Sequence, residues 1–196
     1  QLYAESMNAK VMQKLDMENN LRRAIEREEF VLFYQPQIDM RNGKIVGMEA
    51  LLRWYRPEYG LVPPMEFIPL AEESGLIVPI GEWVIKTVFR QSKKWIDSGI
   101  GPQLIAVNLS ARQFQQHDLV ELIERFRRET QLRPELIELE ITESTAMRDL
   151  EFTIDILNQL REIGIRIALD DFGIGYSSLN YLRQLCKDES RPCQKQ

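Results

Sequence analysis

From Ile45 onward, short apolar runs alternate with amphipathic stretches closed by glycine, an order that few folds accommodate. Ile45–Trp54 (IVGMEALLRW), Leu104–Leu109 (LIAVNL), Leu136–Glu143 (LIELEITE) and Ile165–Phe172 (IRIALDDF) read as strands, being short, rich in β-branched residues and bounded by turn signals. Between them, 64–74, 81–98, 118–130 and 150–163 carry helical spacing, with Gly99 and Gly164 closing two of these stretches. Strands joined through helices run parallel with right-handed crossovers. Ahead of them, Phe30–Asp39 reads as a further strand that ends before an Asn42-Gly43 turn signal. Residues 8–29 read as an unbroken helix with Val11, Leu15, Leu21 and Ile25 on one stripe, and Ser177 to about Leu185 as a short helix.

Two parallel architectures compete, the open doubly wound sheet and the (β/α)8 barrel. Polar residues recur at the C-terminal ends of the strands: Asn108, Glu140 with Glu143, and Asp170 with Asp171. A barrel gathers all such ends on one face, whereas an open sheet gathers only those beside a switch point. The expected fold is therefore an α/β, TIM-like barrel, incomplete here, with about five of the eight strands a closed barrel needs. The segmentation expected is a helical lead-in over 1–29, the barrel portion over 30–185 and a polar tail over 186–196.

A carboxylate set in an apolar strand costs several kcal/mol unless it is paired or metal-bound. Glu49 lies among Met48, Ala50, Leu51 and Leu52, and Asp170-Asp171 follow Ile167-Ala168-Leu169. With Asn108 and Glu140 they make an oxygen-rich set of the kind hard divalent cations prefer. Simpler readings stand beside this one: a Glu49–Arg53 ion pair, Asn108 as a helix cap, Asp170 and Asp171 as turn residues before Gly173, and Glu140 as an edge carboxylate facing water. His117, the single histidine, reads as a solvated residue at a helix start. Cys186 and Cys193 lack the spacing of a zinc site and read as reduced thiols. A net charge of -5 argues against nucleic acid as the main partner. No stretch is long and apolar enough to insert in a membrane, so a cytoplasmic location is expected, either free or as the cytoplasmic part of a membrane-attached protein.

Several motifs, taken together, resemble the EAL family: Tyr34-Gln35-Pro36, Met48-Glu49-Ala50-Leu51-Leu52-Arg53-Trp54, Phe67-Ile68-Pro69-Leu70-Ala71-Glu72, Val107-Asn108-Leu109-Ser110, Glu138-Leu139-Glu140-Ile141-Thr142-Glu143-Ser144 and Asp170-Asp171-Phe172-Gly173-Ile174-Gly175-Tyr176-Ser177-Ser178-Leu179. The likeness runs from about Phe30 to Leu185. It implies a TIM-like barrel whose first strand is antiparallel to the rest, and hydrolysis of the bacterial second messenger cyclic di-GMP to pGpG with Mg2+ or Mn2+. It further implies Glu49, Asn108, Glu140 and Asp170 as metal ligands and Asp171 as serving a second metal, with Glu49 and Asp171 central to catalysis. Arg53 would hold a ligand phosphate, Gln35 would line the pocket, and the loop after Asp171 would couple the site to a homodimer interface. The lead-in is similar to the end of a GGDEF domain with its linker; a plain helix packing on the barrel is the alternative.

Two departures stand out. Ile174 occupies a position where the family usually has Thr, in the loop between metal site and dimer interface. After Leu185, where the family continues into further strands carrying the Lys, Glu and Gln that complete its site, CKDESRPCQKQ shows no strand pattern. A non-catalytic module that binds cyclic di-GMP or a protein is thus the alternative function. The expectation for this chain by itself is turnover of cyclic di-GMP far below that of intact family members, measured as pGpG formed with Mn2+; a comparable rate would refute it.

Overall fold

The structure is a computed structural model that describes residues 2–100, 103–147 and 149–170. The elements follow as α1 (Leu2–Ala24), β1 (Phe30–Asp39), β2 (Lys44–Arg56), β3 (Gly60–Val62), α2 (Pro64–Ser74), α3 (Ile77–Asp97), β4 (Leu104–Asn108), α4 (Ala111–Phe114), α5 (Leu119–Thr130), β5 (Ile137–Thr142), α6 (Glu143–Ala146), α7 (Leu150–Glu162) and β6 (Arg166–Asp170). One sheet carries them in the order β1-β2-β4-β5-β6, with β3 beside β2. The β2–β4, β4–β5 and β5–β6 pairs are parallel. β1 neighbours β2 through a link of four residues, too short for a parallel crossover, so the first strand is antiparallel to the second. Asp39 carbonyl accepts from Gly43 N at 2.8 Å, and Gly43 takes φ 68°, which a side chain would resist.

The chain folds as two compact units, Gln1–Phe33 with Leu51–Val84, and Tyr34–Ala50 with Ile85–Gln196. The first is built on aromatic packing. Trp54 and Phe67 are wholly buried, and Phe30 stands 6.2 Å from Trp54, 6.1 Å from Phe67 and 5.9 Å from Trp83 by ring centroids. The Trp54 indole Nε1 donates to Glu29 Oε2 at 2.9 Å, which satisfies two polar groups that burial would otherwise penalise. Leu21 and Ala24, at the end of α1, are also fully buried.

In the second unit, β4 is apolar up to Asn108 and β5 alternates apolar with polar residues; Ile105, Ala106, Val107, Ile137, Leu139 and Ile141 are all buried. That near-continuous burial is what a parallel strand covered on both faces requires. Val88 and Phe89 of α3, Ile123 and Phe126 of α5, and Ile156, Leu157 and Leu160 of α7 supply buried cover. On β1, Tyr34 meets Trp95 edge-on with centroids 4.8 Å apart. Its hydroxyl is buried without a hydrogen-bond partner among the described residues, and burial pushes its pKa from 10.0 up to about 12.

The expected elements are present, with three instructive differences. The lead-in helix runs Leu2–Ala24, not to residue 29, because Glu28 turns to φ 55° and Glu29 N closes onto the Ala24 carbonyl at 2.9 Å. This is a glycine-type helix stop made by glutamate, so no glycine announces it. The helix expected from Gly81 begins at Ile77, since Pro79 falls in the first turn, where its missing N–H is harmless. β3 and the four-residue helices α4 and α6 are too short to show a period, and the sequence reading missed them. The six strands described therefore exceed the five expected. The helix expected from Ser177, the polar tail and both cysteines lie outside the described residues.

Two outcomes follow from this packing. Trp54→Phe leaves the buried Glu29 carboxylate short of a donor and should lower unfolding free energy by roughly 1–3 kcal/mol, read from urea denaturation; an unchanged midpoint would remove the bond from the account of stability. Tyr34 is protonated in both folded and unfolded chains below pH 10.0, so its contribution is fully present there; between 10.0 and about 12 only the unfolded chain releases the proton, and stability falls as pH rises. Phenolate absorbance should show one late-titrating tyrosine that disappears in Tyr34→Phe.

Candidate functional site

Register decides which polar residues share a face. In β2, Glu49 pairs with Ala106 of β4, two positions before Asn108. Asn108 pairs with Glu140 of β5, and Glu140 with Ala168 of β6, two positions before Asp170. Residues paired in register, and those two apart along a strand, lie on the same side of a sheet. Glu49, Asn108, Glu140 and Asp170 therefore share one face of the second unit: Asn108 and Asp170 end their strands, Glu140 lies two residues before the end of β5, and Glu49 lies within β2, one residue before its pairing with β4 ends.

Two of them touch. Asn108 Nδ2 donates to Glu49 Oε1 at 2.8 Å, across a span of 59 residues in sequence. With Nδ2 so engaged, the neutral Oδ1 of Asn108 remains an acceptor. The end of β4 is tied to β5 by Leu109 N donating to the Glu140 carbonyl at 2.8 Å. Directly after Asn108, Ser110 caps α4 in a reciprocal capping box: its hydroxyl accepts from Gln113 N at 3.3 Å, and its N–H donates to Gln113 Oε1 at 3.2 Å. The cap that sequence allowed for Asn108 thus belongs to Ser110, and the Asn108 amide is available to the strand-end face.

Glu140 is 3% exposed and Asp170 is exposed at the end of its strand, so Glu140 is not the water-facing edge carboxylate that was one of the readings open above. Thr142, in register with Asp170, accepts a hydrogen bond from Thr145 N at 3.4 Å and caps α6; its hydroxyl also meets those of Ser144 and Thr145 at 3.1 and 2.9 Å. Gln35 is exposed on β1. Among the described residues, no three aspartate, glutamate, histidine or cysteine side chains converge as a metal-binding group. The structure thus joins Glu49 to Asn108 and aligns Glu140 and Asp170 with them. Asp171 and the motif after it lie outside the described residues.

Arg53 belongs to the first unit, further along β2. Its Nη1 donates to the Leu52 carbonyl at 2.8 Å and its guanidinium lies 5.6 Å from the centre of the Phe33 ring. Sequence reasoning assigned no role to Phe33, Thr142 or Gln37. The last is half-buried against Gly47, where an added Cβ would come 3.1 Å from Gln37 Oε1. Strand parity could have raised all three, as each lies an even number of residues from a motif residue on its own strand. His117 is exposed, with its ring 6.1 Å from that of Phe152.

Known proteins resemble the chain over most of its length. It is 48% identical over 187 residues to the bifunctional diguanylate cyclase/cyclic di-GMP phosphodiesterase MucR of Pseudomonas aeruginosa, covering 95% of this chain and 27% of that protein. It is 42% identical over 181 residues to the cyclic di-GMP phosphodiesterase PdeR of Escherichia coli, covering 92% of this chain and 27% of that one. The chain thus spans about a quarter of the length of the curated relatives it matches. Among solved structures, the MucR phosphodiesterase in complex with cyclic di-GMP superposes with a TM-score of 0.83 at 48% identity, covering 87% of this chain and 69% of that one. The EAL domain of Xanthomonas citri FimX, at 22% identity and a TM-score of 0.80, covers 93% of this chain and 69% of that one and shares the fold. The mixed α/β, parallel-sheet architecture is that of EAL domains, which are TIM-like barrels. Residues 18–189 match the EAL domain model, and the chain belongs to the EAL-domain family.

Proposed function

We propose that this chain carries the ligand-holding strands of a metal-dependent phosphodiesterase that hydrolyses cyclic di-GMP to linear pGpG. The observation that carries the reading is the Asn108–Glu49 hydrogen bond of 2.8 Å on the face shared with Glu140 and Asp170. It sets a neutral amide oxygen at the end of β4 beside a carboxylate of β2, and the relatives named as cyclic di-GMP phosphodiesterases supply the ligand class.

All the donors in this set are oxygens, which suits Mg2+ or Mn2+ and not a soft metal. Glu49, Asn108, Glu140 and Asp170 would hold the ion, with Asp171 serving a second. Bound there, such an ion would lower the pKa of water and neutralise phosphate charge. The chain's own part is positional. Asn108 holds the Glu49 carboxylate in one orientation, and its own Oδ1 keeps its capacity to accept. Arg53 offers a planar, permanently charged donor to a phosphate oxygen, and Gln35 offers an amide to the ligand from β1. Hydrolysis consumes one water: a new P–O bond forms, the bond to the 3′ oxygen breaks, and the leaving alkoxide takes up a proton. The active form is a homodimer located in the cytoplasm. No helix among the described residues is long and apolar enough to cross a membrane.

Calorimetry with Mn2+ and cyclic di-GMP separates the outcomes. Glu49→Ala and Asn108→Ala should each weaken Mn2+ binding by roughly tenfold or more, and Glu49→Ala should abolish any pGpG formation. Glu124→Gln, whose carboxylate pairs with Arg127 on the surface of α5, should change neither. Undiminished Mn2+ binding in both strand-end variants would overturn the metal assignment. Ligand binding with no turnover in any form would favour the non-catalytic binding module.

A further inference from the structure

Phe33 is half exposed, and the Arg53 guanidinium lies over its ring. It stands on β1 within the first unit, and Arg53 of the same unit lies 5.6 Å from its ring centre. Among the described residues, the one hydrogen bond Arg53 makes is from Nη1 to its own neighbour's carbonyl, so the rest of its donor fork has no protein acceptor there. A guanidinium polarises an aromatic ring and is itself a flat surface for stacking. The pair therefore offers two kinds of contact: charged donors for a phosphate oxygen, and, for a base, the ring face that the guanidinium does not cover.

We propose that Phe33 is a specificity-determining residue, a stacking platform for one guanine of the ligand whose phosphate meets Arg53. The inference rests on the reading above that the chain binds cyclic di-GMP. A nucleotide joins its base to its phosphate through a single sugar, so neighbouring side chains can meet both. Every base has a π face, so the platform supplies affinity, and a purine gains more from it than a pyrimidine because its surface is larger.

The test is binding of cyclic di-GMP and of cyclic di-UMP in the presence of Mn2+. Phe33→Ala and Phe33→Leu should weaken cyclic di-GMP binding roughly ten- to a hundredfold, with a smaller loss for cyclic di-UMP, and should leave Mn2+ affinity and the thermal midpoint unchanged. Phe33→Tyr should bind like the parent. In Phe33→Trp, cyclic di-GMP should quench the new indole's fluorescence, a signal that a residue merely propping Arg53 would not produce. Cyclic di-GMP binding by Phe33→Leu within twofold of the parent, or no quenching in Phe33→Trp at saturating ligand, would overturn the proposal. Failure of the unsubstituted chain to bind cyclic di-GMP would instead sink the functional reading, and this inference with it.

Discussion

The parallel register of β2, β4, β5 and β6 is the constraint on which the candidate site depends. A strand has period two, so a slip of one residue in any pair would send that strand's polar residue to the opposite face. With the observed pairings, Glu49, Asn108, Glu140 and Asp170 fall on one side, while Met48, Val107, Leu139 and Leu169 fall on the other. Burial enforces this register. Val107, Leu139 and Leu169 are almost wholly buried, and turning three such side chains to water would cost several kcal/mol at about 25 cal/mol per Å2.

Against that background, Glu140 is the most telling residue. A carboxylate 3% exposed between the buried Leu139 and Ile141 is costly unless it is engaged. Folds tolerate such local conflicts where function needs them. The Asn108–Glu49 bond is a second case, for it spends an amide donor at an exposed strand end, where water could have served as acceptor. Both lie next to rigid elements: Leu109 N ties to the Glu140 backbone, and Ser110 with Gln113 locks the start of α4. A site held this way loses little entropy when a ligand arrives.

The first unit is held by a different device. Trp54 continues β2 beyond the strand-end residues, and its indole joins the Phe30–Phe67 cluster and the Glu29 carboxylate. Tyr55 N donates to the Glu29 carbonyl at 2.7 Å, so Glu29 is fixed by backbone and side chain together. This places a firm hydrophobic anchor one residue from Arg53 in sequence.

Much of this was legible beforehand. The alternation of strand and helix, the polar residues at strand ends and the Asn-Gly hairpin turn all carry local signals, since period, turn chemistry and propensity act over a few residues. Helix stops without glycine, as at Glu28, and elements shorter than one period, such as β3, α4 and α6, carry none. Sequence determined which residues could be ligands and that β-strand ends would present them. It left open whether Asn108 would cap a helix or meet Glu49, since Ser110 and Asn108 are both competent caps and only packed strands bring residues 59 positions apart within 2.8 Å. That choice, like the meeting of Phe33 with Arg53 across a hairpin, belongs to the tertiary structure, because non-local pairing energies do not exist until the chain has closed the loops between them.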